Sequence, residues 1–166
     1  MSQEILNKIT EAIKHNVHGA VEHAEFSYDF PIITVNKDHI HQVLSFLKTD
    51  PELNFHFLTD LTGMQTEDEK HLGVIYHLHN MVKNQRVRIK TFFPMIHPEI
   101  PTATDIWLGA NWMERETYDF FGIRFKGHPN LKRILNMDEM DIFPLRKEYP
   151  LEDQSREDKD DKMFGR

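Results

Sequence analysis

Cysteine is absent from this chain of 166 residues, and its absence excludes several kinds of chemistry. Without a thiol the chain can form no disulfide, no thiolate nucleophile and no cysteine-rich zinc site. Iron–sulfur clusters are normally held by cysteine thiolates, so we expect none here. The sequence therefore predicts a chain without a thiol-based redox centre.

Glycine is also scarce, with seven residues in the chain and no cluster among them. The glycine-rich loops that hold phosphates or dinucleotides are missing, and so are the G-x-S-x-G and H-E-x-x-H patterns of hydrolases and metalloproteases. The sequence therefore predicts no catalytic residues and no cofactor-binding site in this chain.

Long apolar runs and an excess of positive charge are missing as well. No stretch of about 20 mostly apolar residues could span a bilayer, and residues 1–8 lack the basic region and apolar core of a signal peptide. With 27 acidic and 20 basic side chains the net charge is −7, the opposite of a nucleic-acid binder. We therefore expect that the chain binds no nucleic acid and does not insert directly into a membrane. We expect it to be cytoplasmic, or held at a membrane through a partner.

Hydrophobic periodicity predicts a compact α+β fold. The expected helices are residues 3–15, 38–48 and 111–122, and the expected extended segments are residues 20–28, 30–35, 55–61, 72–80 and 85–93. Asn111 and Glu114 match a capping box at the start of the last helix, and Gly122 is placed to end it. Alternation in the last two strands favours a mixed, largely antiparallel sheet with helices packed on one face.

The pattern changes after Ile123, where prolines separate short apolar pairs and no periodicity continues. The last fifteen residues are mostly polar and charged, with too little apolar surface to order themselves. We therefore divide the chain into a compact α+β domain at residues 1–125 and an extended, partner-binding C-terminal arm at residues 126–166. Residues from about Glu152 onward are expected to be mobile in the isolated chain, so a protease should remove them first.

Eleven histidines raise the question of a metal site. His71, His77 and His79 share one face of a predicted strand. The neighbouring strand brings three basic residues to that face, Arg86, Arg88 and Lys90. A row of positive charge disfavours a bound cation, and no acidic ligand lies at motif spacing, so we predict no metal. A free-standing histidine-rich metal-binding protein remains the alternative from another class.

Aromatic and charged residues alternate in the stretch of residues 104–135. Six of the eighteen aromatic residues lie between Trp107 and Phe125. Arg115 and Asp119 are four positions apart on the predicted helix and can pair. The stretch fits a terminal helix that packs the core, and it also fits an interface, because aromatic residues and arginine are enriched in buried interfaces.

Two motifs in this part of the chain follow an ordered spacing. The first consists of Glu114, Arg115, Glu116, Asp119, Phe120, Phe121, His128, Lys132, Ile134 and Leu135. The second is F-P-L-R-K-E-Y-P at residues 143–150. Together they resemble the signature of the thirty-kilodalton subunit family of respiratory complex I, the NADH-quinone oxidoreductase. The second motif departs from the family's G-x-P-L-R-K-D-Y-P at Ile142-Phe143 and Glu148, which affects only the turn before Pro144.

The resemblance implies a subunit of a proton-translocating NADH:quinone oxidoreductase that has no cofactor of its own. It places the chain in the peripheral arm, on the cytoplasmic face of the inner membrane. Its implied partners are the large hydrogenase-like subunit that helps form the quinone site and other peripheral-arm subunits. The equivalent subunit of a membrane-bound hydrogenase or a related oxidoreductase remains an alternative. The expected partner-interface residues are Glu114, Arg115, Glu116, Asp119, His128, Lys132, Arg133, Arg146 and Lys147.

Overall fold

Three α-helices and seven strands form within residues 3–28 and 30–149, which are those that this computed structural model describes. The helices are α1 (Gln3–Asn16), α2 (Ile40–Thr49), which follows a short 3-10 turn (Lys37–His39), and α3 (Ala110–Phe121). The strands are β1 (Val21–Ser27), β2 (Phe30–Val35), β3 (Phe57–Gln65), β4 (His71–Asn80), β5 (Gln85–Pro94), β6 (Glu99–Pro101) and β7 (Arg124–Lys126).

Five of these strands form one sheet in the order β1-β2-β5-β4-β3. The hairpins β1–β2, β3–β4 and β4–β5 are antiparallel, and only β2 and β5 run parallel, with Ile33 opposite Ile89. The predicted mixed, largely antiparallel sheet is confirmed. A second, parallel pair joins β6 to β7, which sequence periodicity did not predict because each strand has only three residues.

A single face of the large sheet packs against the helices. Apolar residues three or four positions apart give α1 a buried stripe of Leu6, Ile9 and Ile13, and α2 has an equivalent stripe. Both stripes belong to one buried core with the inward-pointing residues of β4 and β5, including Tyr76 and Ile89, and α1 lies over β1 and β2. The predicted arrangement of helices on one face of the sheet is therefore confirmed.

The described part of the chain has no helix long and apolar enough to cross a bilayer. Residues 127–149 contain neither helix nor strand. Residues 127–149 stay packed on the domain, because Leu145 N donates to Phe120 O and several further hydrogen bonds join these residues to α3. Of the predicted C-terminal arm, residues 126–149 are described, and from here on we call these residues the arm. The domain boundary at residue 125 stays a prediction, and the expected mobility from Glu152 onward concerns residues outside those described.

Candidate partner interface

Asp119 is the buried carboxylate that anchors the arm to α3. Its Oδ2 accepts hydrogen bonds from the backbone N–H groups of Ile134, Leu135 and Asn136 at 3.1, 2.8 and 2.9 Å. Its Oδ1 accepts one from Arg133 Nη1 at 2.8 Å. Burial alone would raise the pKa of Asp119, but these four donors outweigh it and hold the pKa well below its usual range. The carboxylate is therefore ionised and saturated within the chain.

Arg115 reaches the same segment from the preceding turn of α3. Its Nε donates to Lys132 O at 3.1 Å and its Nη2 donates to Arg133 O at 2.9 Å. The predicted pair between Arg115 and Asp119 is therefore wrong. Carbonyl groups of the arm bind the guanidinium, and donors of the arm bind the carboxylate, so both side chains join α3 to the arm.

Phe143 lies between two guanidinium groups where the arm crosses the end of α3. Arg133 is 5.1 Å and Arg146 is 4.8 Å from the centre of its ring, within the range of cation–π attraction. Arg146 Nε also donates to Phe121 O at 2.7 Å, and the Arg146 side chain is only 14% exposed. The two arginines thus fix the path of the arm from inside the molecule.

Gly122 ends α3 in the left-handed region, with φ at 71°, as predicted. A Cβ atom at this position would lie 2.6 Å from the Phe143 ring and 2.7 Å from Arg146 Nη2. Glycine is therefore required both by the backbone conformation and by the close approach of the arm.

Replacing Gly122 with alanine should lower the free energy of unfolding by about 1–3 kcal/mol, because a left-handed Ala is strained and its methyl group displaces Phe143. Gly109→Ala is the matched control, since Gly109 has φ at −63° and nothing within 4 Å of its added Cβ. Denaturant unfolding of the two variants measures the difference. Equal stability of the two variants would contradict the close packing of the arm at Gly122.

Glu114 is fully buried on the opposite side of α3. Its Oε1 accepts from Ala103 N at 2.6 Å and its Oε2 accepts from Thr102 Oγ1 at 2.5 Å. The capping box predicted with Asn111 is therefore wrong, because the carboxylate binds the segment after β6 and α3 starts without a side-chain cap. Burial raises the pKa of Glu114 to about 7, although the two donors oppose the shift.

His128 joins the start of the arm to the start of α3. Its Nε2 lies 3.1 Å from Asn111 O, and Asn130 N donates to its Nδ1 at 3.0 Å. Since a backbone N–H occupies Nδ1 and a carbonyl faces Nε2, the contacts fit the neutral tautomer with its proton on Nε2. His128 therefore joins backbone groups of two segments and is not a free surface side chain.

The remaining predicted interface residues differ in their contacts. Lys147 N donates to Gln65 Oε1 at 2.7 Å and Lys147 Nζ donates to Thr66 O at 3.2 Å, so the arm also reaches the end of β3. Glu116 and Lys132 are exposed. Of the nine residues predicted, these two are the ones whose charged groups remain available to a partner without rearrangement of the arm.

Exposed apolar side chains along the arm and α3 were missed by the sequence reasoning. Leu135 and Met137 on the arm are 66% and 69% exposed, and Trp112 on α3 is 62% exposed. The available signal was the short apolar pairs after Ile123, which have no periodicity and so nothing of their own to pack against. Within residues 3–28 and 30–149, no three His, Asp or Glu side chains are arranged to hold a metal ion.

Solved structures share this fold. The Nqo5 trypsin-resistant fragment (1–134) superposes with a TM-score of 0.63 at 25% identity, covering 78% of this chain and 98% of that chain. A chain of the membrane-bound sulfane sulfur reductase, an archaeal respiratory membrane complex, superposes with a TM-score of 0.72 at 24% identity, covering 90% and 85%. The second likeness concerns the fold alone.

Sequence comparisons identify the family. The C subunit of the NADH-quinone oxidoreductase of Citrifermentans bemidjiense is 43% identical over 126 residues, which cover 75% of this chain and 77% of the relative. The corresponding protein of Roseiflexus sp. is 38% identical over 148 residues, covering 89% and 83%. The family model described as respiratory-chain NADH dehydrogenase, 30 Kd subunit, matches residues 33–155. As the motifs at residues 114–150 predicted, the chain belongs to the family of the 30 Kd subunit of the respiratory-chain NADH dehydrogenase, and it is a complex I-type subunit.

Proposed function

We propose that this chain is a structural subunit, with no cofactor or active site of its own, in the peripheral arm of a proton-translocating NADH:quinone oxidoreductase. It docks on the large quinone-site subunit at the cytoplasmic face of the inner membrane. The proposal rests on the structure of the arm. The arm is joined to α3 by hydrogen bonds along its length and presents apolar side chains to solvent.

The charged residues of the family motif support a scaffolding role because their bonds lie within the chain. Asp119, Arg115 and Arg133 hold backbone groups of the arm, and Arg146 holds the end of α3. A surface that is already ordered loses less conformational entropy when a partner binds. These residues therefore act on docking by fixing the shape of the arm rather than by pairing with the partner.

The exposed apolar residues supply the contact itself. Trp112, Leu135 and Met137 are large and well exposed, and tryptophan is among the residues that contribute most to interface affinity. Glu116 and Lys132, both exposed, provide charged groups on the same two segments. An apolar centre with a charged rim is the usual composition of a protein interface.

Leu135→Asp and Met137→Asp should each reduce co-purification of the quinone-site subunit about tenfold or more, because a carboxylate at an apolar contact must be desolvated. A tagged chain is isolated from membranes of its host, its companions are identified by mass spectrometry, and quinone-dependent NADH oxidation is measured. Val82→Asp is the matched control, since Val82 is 85% exposed on the turn between β4 and β5.

Normal assembly of both arm variants would contradict the proposal that the exposed apolar residues of the arm contact the partner, provided that the unfolding free energies of the variants match that of the unmodified chain. Companions belonging to a hydrogenase, with no NADH-oxidising module among them, would instead identify the related oxidoreductase as the parent complex.

A further inference from the structure

The face of the large sheet that points away from the core carries no helix within the described residues. Strand pairing places alternate residues of β2, β5, β4 and β3 on this open face, with Arg88 between Ile32 and His77, and Asp60 beyond His77. The three helices contribute their buried stripes to the opposite face. Within residues 3–28 and 30–149, the open face is therefore a surface of side chains that no helix covers.

Strand β5 supplies a row of positive charge at the centre of the open face. Arg86, Arg88 and Lys90 occupy alternate positions of the strand, so their side chains emerge on one face about 7 Å apart. Among the described residues, none of the ion pairs includes any of these three side chains. The row is thus a local excess of positive charge on a chain whose net charge is −7.

Contacts within the face hold Arg88, the middle residue of the row, in place but leave polar atoms unused. Arg88 Nε donates to His77 Nε2 at 2.8 Å, and the Arg88 guanidinium lies 5.1 Å from the centre of the Phe30 ring. The terminal nitrogens of Arg88 bind no described residue. Next to this pair, the Nε2 atom of His79 is buried and has no hydrogen-bond partner among the described residues. A guanidinium held in this way, with a further cation on each side of it along β5, favours a ligand rich in anionic oxygen atoms.

The spacing and surroundings of the row fit a polypeptide better than other anions. An extended peptide with acidic residues at alternate positions repeats at about 7 Å, the same distance that separates the basic side chains of β5. Phe30, Ile75 and Phe92 lie half-buried beside the row and offer apolar contacts for the aliphatic parts of such a peptide. A nucleic acid would meet repulsion from the remaining acidic surface, since the chain as a whole is negative.

We propose that the open face of the sheet binds an acidic polypeptide segment of a neighbouring subunit, with Arg86, Arg88 and Lys90 as its anchors. The proposal rests on the proposed function only in naming a neighbouring subunit as the source. It concerns the opposite side of the molecule from the residues that hold the arm on α3, so the two surfaces can be tested separately.

The first test uses the isolated full chain and poly-L-glutamate at low salt, followed by the NMR signals of the His77 and His79 rings. Binding should shift these signals and weaken with added salt, and Lys90→Glu or the exposed Arg86→Glu should weaken it about tenfold. Lys70→Glu is the matched control, because Lys70 is exposed in the loop before β4 and its side chain makes no hydrogen bond or ion pair with a described residue. Circular dichroism and thermal melts establish that each variant is folded.

Absence of binding, or equal weakening by Lys70→Glu, would overturn the proposal. Tighter binding of a single-stranded DNA oligonucleotide than of poly-L-glutamate would also overturn it, because the face would then select phosphates rather than carboxylates.

The second test uses the assembled complex and a carbodiimide, which joins a lysine amine to a carboxylate in contact with it. Lys90 should become linked to an Asp or Glu of another subunit, and Lys90→Arg should remove that link while keeping the charge. A link from Lys90 to a carboxylate in residues 150–166 of the same chain would overturn the proposal. Failure of the unmodified chain to co-purify with any complex would contradict the proposed function instead, and the poly-L-glutamate result would still decide the chemistry of the face.

Discussion

Replacing Asp119 with alanine should lower the free energy of unfolding by about 3–5 kcal/mol, because four donors lose their shared, fully buried acceptor. The largest part comes from Arg133, whose side chain is 7% exposed and would keep its charge without a carboxylate beside it. The backbone N–H groups of Ile134, Leu135 and Asn136 would lose their bonds at the same time. Denaturant unfolding of the isolated chain measures the loss, and limited proteolysis should show that the arm is cleaved first.

Glu116→Ala is the matched control, because Glu116 is an exposed acid on the same helix and its loss should change the stability by less than about 0.5 kcal/mol. The contribution of Asp119 also has a pH dependence. Its pKa is lowered in the folded chain, so its contribution is complete above the unfolded pKa of about 3.9 and is lost as the pH falls below that value. Similar unfolding of Asp119→Ala and Glu116→Ala at neutral pH would show that Asp119 does not anchor the arm.

Glu114 should make the chain less stable as the pH rises from 5 to 8. Its pKa is about 7 in the folded chain against 4.5 for the free group, because burial disfavours the charged form. A carboxyl group whose pKa is raised in the folded chain contributes its full stabilisation at a pH below its unfolded pKa. This contribution is lost as the pH rises through the folded pKa. At 1.36 kcal/mol per pKa unit, the unmodified chain should lose about 2–3 kcal/mol over this range relative to Glu114→Gln.

Glutamine is the informative replacement at position 114, since it keeps an acceptor for Ala103 N and cannot ionise. The pH profile of Glu114→Gln should lack the loss of unfolding free energy that Glu114 causes between pH 5 and pH 8, whereas Glu116→Gln should follow the unmodified chain. Parallel pH profiles of the unmodified chain and Glu114→Gln would mean that Glu114 is ionised at no cost, in conflict with its burial between α3 and the segment after β6.

Periodicity over long segments predicted the elements that build the core. The stripe of α2 and the alternation of β4 and β5 each repeat over ten residues, enough for the helical or strand period to show. The pair β6–β7 has three residues in each strand, and its register depends on Pro98 O accepting a hydrogen bond from Arg124 N, a contact between distant parts of the chain. No local pattern carries that information.

The family motif contains residues that join α3 to the arm, but it did not predict the direction of their side chains. Spacing on a helix suggested that Arg115 would meet Asp119 and that Glu114 would cap α3, and both rules consider only neighbours within one turn. The arm and the segment after β6 compete with neighbours on α3 for these side chains, because each offers several donors or acceptors at once. Side-chain partners at such positions are decided by tertiary structure, which the sequence of α3 alone does not contain.

The parallel pairing of β2 with β5 has a consequence for the order in which the chain folds. Strands β3, β4 and β5 are joined by short turns, so each hairpin closes a small loop and loses little chain entropy. The pairing of β2 with β5, in which Ile33 lies opposite Ile89, instead closes a loop that contains α2 and two whole strands. Only three residue pairs form this parallel pairing. We therefore expect the three-stranded meander to form early, and the β1–β2 hairpin, against which α1 packs, to dock onto it late.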